Sequence, residues 1–136
     1  MERDPMIRWL LRAEGVAVFV LGAALYAGAG GELLLLIPLL FVPDLSMLGY
    51  LGGPRLGAVT YNLGHTIVLP VVLALAGWWL GQPLLLMAAG VTGAHIGMDR
   101  ALGYGLKYPT SFQDTHLGRI GKRRDEAARP AAWPVA

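Results

Sequence analysis

Cysteine is absent and charged residues are scarce in this chain of 136 residues. Without cysteine the protein can form no disulfide framework, thiolate zinc site, iron–sulfur cluster or covalently attached c-type haem, so nitrogen and oxygen atoms must hold any metal. Charged residues make up only 15% of the chain and hydrophobic residues 55%, whereas soluble globular domains have about 25% charged residues. This composition argues strongly against a soluble single domain.

The few charges gather near the two ends of the chain. Five lie in residues 1–12 and eleven in residues 99–136, which leaves four for the 86 residues between them. We therefore expect the middle of the chain to lie in the hydrocarbon of a lipid bilayer. The formal net charge is only +2 and the basic residues fall mainly in a short tail, so the sequence gives little support to nucleic-acid binding.

Four stretches are long and apolar enough to cross a bilayer as helices, which satisfy all their backbone hydrogen bonds within one segment. They cover roughly residues 9–27, 33–50, 56–80 and 84–104, and Gly81-Gln82-Pro83 separates the last two. The sequence thus predicts an all-α fold, a four-helix transmembrane bundle within residues 1–121. Residues 122–136 form a basic cytoplasmic tail that we expect to be disordered.

The second predicted helix contains Pro43 and Asp44 near its middle. Because Pro43 cannot donate a backbone hydrogen bond, we expect the helix to break there, with Asp44 capping a second short helix. A broken helix at membrane depth is tolerated only where it is buried or lines a wet cavity. The break therefore indicates an internal polar site.

Basic residues precede the first predicted span, lie between the second and third and follow the fourth, whereas the loops near residues 28–32 and 81–83 have none. By the positive-inside rule, both termini should face the cytoplasm. A cleaved secretory signal is disfavoured because Glu14 stands where its apolar region should begin.

Small residues indicate where helices approach closely, since lipid gives no hydrophobic drive for helix association. We expect these positions to pack within the bundle, although they would also suit a homo-oligomer. They are Gly15, Gly22 and Ala23 on the first helix, Gly57, Gly64 and Gly77 on the third, and Gly90, Gly93, Gly97 and Ala101 on the fourth.

Ionisable side chains within a span cost roughly 2.5–3.5 kcal/mol at its centre, so each usually faces the bundle interior. Counting 1.5 Å per residue from the basic ends places His65 and His95 at similar depth. His95 shares a helix face with Asp99, and His65 shares one with Asn62. We therefore predict a deeper layer of the two histidines and a shallower layer of Asn62 and Asp99.

The sharpest functional hypothesis is a divalent metal site formed by His65, His95 and Asp99, completed or oriented by Asp44 or His116. Two histidines and a carboxylate suit zinc, manganese or iron. An open position on the metal would activate water to hydrolyse a lipid-embedded substrate, with Glu14 or Asp44 as general base. His116 follows the fourth span, and we expect it either to fold over the inner mouth or to stay at the interface.

Two strings carry a family resemblance: PDLSMLGYLGGPRLGAVTYNLGHT (residues 43–66) and AHIGMDRALGYGLKYPTSFQDTHLGRIG (residues 94–121). They resemble a family of small bacterial membrane proteins classified as domain of unknown function 4260, which implies a four-helix protein of the bacterial inner membrane. That family offers no assigned catalytic residue to transfer. The residues that match its pattern are Glu14, Asp44, Tyr61, Asn62, His65, His95, Asp99, Arg100, Tyr104, Lys107, Asp114 and His116.

Three other functions stay open at this point. Glu14 in the first helix is similar to the glutamate of small proton-coupled exporters, which makes proton- or ion-coupled transport an alternative. His65 and His95 at matched depth would also suit bis-histidine haem b. In the third alternative the polar groups have a structural role only. They hydrogen-bond between helices and hold the bundle together, and each contact stabilises it by roughly 0.6 kcal/mol.

Overall fold

The computed structural model describes residues 4–120. Over these residues the protein is all-helical, apart from a β hairpin after the last helix, whose two strands have two residues each. The predicted disordered tail lies outside the described residues. The elements are α1 (Pro5–Gly28), α2 (Leu33–Leu39), a 3-10 helix (Val42–Gly52), α3 (Pro54–His65), α4 (Val68–Leu80), α5 (Pro83–Leu102), β1 (Asp114–Thr115) and β2 (Gly118–Arg119).

Helix α5 lies at the centre and packs most extensively against α1. Glycines make this contact backbone to backbone: a Cβ atom on Gly22 would collide with the backbone of Gly90 and Ala94, and one on Gly97 would collide with Phe19. Such close approach is how helices associate without a hydrophobic drive. The predicted role of the small residues in helix packing is confirmed here.

The predicted break in the second helix is present. Helix α2 ends at Leu39, and the chain continues from Val42 as a 3-10 helix with Pro43 in its first turn. The prediction that Asp44 caps this helix is wrong, because Phe41 occupies the cap position and Asp44 lies within the first turn. The Asp44 side chain therefore does not serve as a helix cap and can face the protein interior.

The third predicted helix, residues 56–80, is not continuous. It divides into α3 and α4, which meet at a bend of 43°. Thr66 is extended at the break, and Pro70 lies in the first turn of α4. A proline at that position cannot donate to the Thr66 carbonyl, and its ring would clash with that carbonyl in a straight helix. The Leu69 N–H donates to the Thr66 carbonyl at 3.2 Å. This leaves the His65 carbonyl without its helical donor, and Arg100 Nη2 donates to it at 3.2 Å.

Two segments, Pro5–Gly28 and Leu33–Gly52, are long and apolar enough to cross a membrane, and the bent pair α3–α4 makes a third if it crosses as one span. Large apolar side chains cover the outer surface, among them Leu34 at 73% and Trp79 at 82% exposure. An apolar exterior of this extent is typical of a protein surrounded by lipid. Helix α5 is less apolar because it carries the ionisable residues of the site described next.

Candidate metal centre

Two histidines and two aspartates converge between α3, α5 and the 3-10 helix. The Nε2 atoms of His65 and His95 lie 2.9 Å apart. Asp44 Oδ1 lies 3.5 Å from the first of these atoms and 3.3 Å from the second. Asp99 Oδ2 lies 3.7 Å and 3.5 Å from the same two nitrogens. The four groups therefore form one cluster at one level.

The cluster is closed on the histidine side and open on the carboxylate side. His65 and His95 are 0% and 1% exposed, whereas the side chains of Asp99 and Asp44 are 11% and 38% exposed. Both carboxylates line a cavity of about 230 Å³. A small molecule in this cavity would thus reach the carboxylates, while the imidazoles stay shielded from it.

The His65 imidazole is held in one orientation. Its Nδ1 atom lies 2.9 Å from the Tyr61 carbonyl, which accepts a hydrogen bond but cannot donate one. The Tyr61 ring also stacks on the imidazole, at 3.7 Å between ring centres. In the neutral ring the proton therefore belongs on Nδ1, and the lone pair of Nε2 points into the cluster.

His95 sits one helical turn before Asp99 on α5, so their side chains share a face as predicted. Its Nδ1 atom is buried and has no hydrogen-bond partner among the described residues. Proline shapes the break before Asp44, because Pro43 has no N–H and the Asp44 N–H donates to the Phe41 carbonyl. The break in the second helix thus contributes Asp44 to the site.

Hydroxyl groups support the two carboxylate-bearing segments. The Tyr61 hydroxyl donates to Asp99 Oδ2, at 3.2 Å. Thr60 Oγ1 donates to the Ser46 carbonyl at 2.7 Å, which joins α3 to the 3-10 helix that carries Asp44. Ser46 Oγ lies 3.4 Å from His65 Nδ1. Sequence analysis missed Ser46, whose only signal is its place three residues after Pro43.

The cluster has the donors and spacing of a metal site. Asp44, His65 and His95 each offer a ligand atom within 4.8 Å of the others. Neighbouring ligands of a tetrahedral zinc ion lie about 3.3 Å apart, given Zn–N bonds of about 2.0–2.1 Å. The three distances among the Asp44, His65 and His95 ligand atoms fall between 2.9 and 3.5 Å, so shifts of a few tenths of an ångström would let these three hold an ion.

The structure does not bring Asn62 to Asp99, so the predicted two-layer arrangement is wrong. Asn62 Nδ2 donates to the Lys107 carbonyl at 2.8 Å, and the Lys107 N–H donates to Asn62 Oδ1 at 2.7 Å. Asp99 reaches the level of the histidines instead, because its carboxylate extends back along α5 toward His95. Asn62 therefore clamps the segment that follows α5.

This clamped segment closes the cavity beside the cluster. Lys107 is 4% exposed, with its ammonium 5.0 Å from the ring centre of Tyr61 and 4.0 Å from that of Phe112. Burial lowers the pKa of Lys107, and the charge of Asp99 opposes that shift. Tyr104 lines the same cavity.

Glu14 and His116 lie in a different place. They line a second cavity, of about 300 Å³, together with Arg100. His116 Nδ1 accepts a hydrogen bond from the Leu106 N–H at 2.8 Å. The segment after α5 does fold back toward the bundle, but Lys107 rather than His116 covers the cluster.

Asp114 belongs to the β hairpin. Thr110 Oγ1 donates to its Oδ2 atom at 2.7 Å, and this hydrogen bond lowers the pKa of the Asp114 carboxyl. Arg119 lies 3.9 Å away across the hairpin. These contacts indicate a role in holding the hairpin together.

A family model described as Domain of unknown function (DUF4260) matches residues 8–120. The chain therefore belongs to this family. No curated protein and no solved structure matches the chain significantly.

Proposed function

We propose that this member of the DUF4260 family is an integral membrane protein that binds one divalent metal ion through His65, His95, Asp44 and Asp99. The observation that carries the proposal is the contact between the two Nε2 atoms, 2.9 Å apart and flanked by two carboxylates. Two imidazoles at this distance need a proton between them, and a cation is the natural replacement for that proton. Two nitrogen donors and two carboxylate oxygen donors suit zinc, manganese or iron.

The proposed chemistry is hydrolysis of a substrate that is embedded in the lipid. A bound divalent ion would polarise the substrate and lower the pKa of water toward 7. Asp44 is the better candidate for the general base, because its carboxylate is partly exposed and lines the adjoining cavity. Glu14 lines the other cavity and is not positioned for this role.

The proposed topology has four spans, with α3 and α4 crossing as one bent helix and α5 crossing at the centre. The basic residues flank the spans on one side only, which supports cytoplasmic termini. On family resemblance the membrane is the bacterial inner membrane. This orientation would place the metal site in the cytoplasmic half of the bilayer.

Haem b is the weaker alternative for the histidine pair. A porphyrin would have to lie between the two Nε2 atoms, which are in hydrogen-bond contact and have a carboxylate on either side. Ion-coupled transport and purely structural packing remain predictions from the sequence, and the metal content of the protein separates them from the proposal.

The experiment is elemental analysis of the detergent-purified protein after loading with zinc, manganese or iron and removal of free ion. We expect about one equivalent in the wild type, little in His95→Ala and Asp99→Asn, and full occupancy in the matched controls His116→Ala and Asp114→Asn. Gel filtration and thermal melting would show that each variant is folded. A folded wild type that binds no metal, or a His95→Ala protein that keeps it, would overturn the proposal.

A further inference from the structure

The cavity beside the cluster holds a buried cation that the proposed metal site does not use. Asp44, Asp99, Lys107 and Tyr104 all line this cavity, and Met47 and Phe112 add apolar surface. Lys107 is 4% exposed. A lysine is almost never buried to this degree without an anionic partner.

The position of Lys107 is fixed by its backbone. Its N–H and its carbonyl both bond to the Asn62 side chain, and it bridges to Thr115 of β1. The ammonium group is then held between the rings of Tyr61 and Phe112, at 5.0 and 4.0 Å. The charge is thus preorganised next to the cluster before any ligand arrives.

The aromatic rings do not satisfy this ammonium group. Within residues 4–120, no carboxylate lies within ion-pair distance of Lys107. Ring faces attract the cation but accept none of its three hydrogen bonds in the usual sense. Because Lys107 lines the adjoining cavity, an anionic ligand there would supply an acceptor for its donors.

The charge balance indicates the sign of the ligand. A divalent ion with two aspartates is neutral overall, and Lys107 then adds one positive charge at the cavity wall. We propose that the cavity binds an oxyanion of the phosphate class, held between the metal ion and the Lys107 ammonium, with Tyr104 nearby. This inference rests on the proposed metal site, and it names the substrate class as an amphiphile with a phosphate group.

The test measures binding of inorganic phosphate, and of phosphatidic acid in nanodiscs, to metal-loaded protein by calorimetry. We expect Lys107→Met to weaken binding roughly ten- to a hundredfold, the usual cost of losing a charged hydrogen bond. Lys107→Arg should recover part of that loss. Arg55→Gln removes an exposed basic residue that does not line the cavity, and it should bind as the wild type does.

Metal content is measured on every variant, so that failure of the two proposals can be told apart. Binding that requires both the metal and Lys107 supports the inference, and preference for phosphatidic acid or for inorganic phosphate identifies the source as lipid headgroup or free anion. Metal-loaded wild type that binds neither probe, or Lys107→Met protein that keeps its metal and binds equally well, overturns the inference alone. A wild type without metal overturns the proposed function as well.

Discussion

The apolar bundle contains two polar regions of opposite character. Around His65 and His95 the ionisable groups lie close to one another, and both imidazoles are buried. Around Glu14 and Arg100 they line a cavity with mainly apolar walls, apart from the cluster. An ionisable residue within a span is thus a weaker sign of a site than the convergence of several such residues.

Helix α5 contributes one residue to each region, and these two residues are consecutive in the sequence. Asp99 and Arg100 are about 100° apart around the helix axis. Asp99 turns to the histidines, while Arg100 turns to the carbonyls of His65 and Tyr104. One residue therefore serves the proposed chemistry and its neighbour stabilises the break between α3 and α4.

Removal of metal should have the largest effect, and this effect should depend on the region around His65 and His95 but not on the region around Glu14. At a free-ion concentration a thousand times the dissociation constant, a bound ion stabilises the folded state by about 4 kcal/mol. We expect chelation to lower the melting temperature of the wild type and of Glu14→Gln equally, and to leave His95→Ala unchanged. An equal response in His95→Ala would place the ion elsewhere.

Tyr61→Phe should have the next largest effect. The change removes the hydrogen bond to Asp99 but keeps the ring that stacks on His65. Loss of such a supporting contact typically costs 10–100-fold in metal affinity. Competition with a chelator of known affinity would measure it, with exposed Tyr108→Phe as the control. Equal affinities in both variants would contradict the supporting role of the hydroxyl group.

Asn62→Ala should affect both regions through the segment after α5, which borders both cavities. Two hydrogen bonds are lost, at about 0.5–1.5 kcal/mol each. Because the Lys107 amide donates one of them, its hydrogen exchange reports the change directly. We expect faster exchange at Lys107 in Asn62→Ala than in exposed Gln113→Ala. If the Lys107 amide exchanged no faster in Asn62→Ala, the Asn62 hydrogen bonds would not be needed to hold this segment in place.

Glu14→Gln should have the smallest effect. Its carboxylate is exposed and lies outside the metal cluster, so the free energy of unfolding should change by less than about 0.5 kcal/mol. Metal affinity should stay within about twofold of the wild type in the same chelator competition. A tenfold loss would mean that the two regions are coupled and that Glu14 contributes to the metal site.

Sequence patterns predicted the helices, the glycine contacts and the meeting of His65 with His95, because each depends on residue type and helical spacing alone. They did not predict the break after His65, since Pro70 has the same local signature whether it starts a helix or lies inside one. Asp44 was predicted only as one of two residues that could complete the site, with His116 as the other, because the rotation of the chain after Pro43 depends on packing. The place of Lys107 depends on tertiary contacts with Asn62.

The break at Thr66 has an electrostatic consequence for the histidine beside it. Because α3 stops at His65, the aligned peptide dipoles of that helix end near the cluster, with a partial negative charge of roughly half an electron. A continuous helix would have carried that charge past the cluster to its end at Leu80. The positive end of α4 begins at Val68, and the Arg100 guanidinium donates to the His65 carbonyl, so the break sets partial charges of opposite sign side by side next to this histidine.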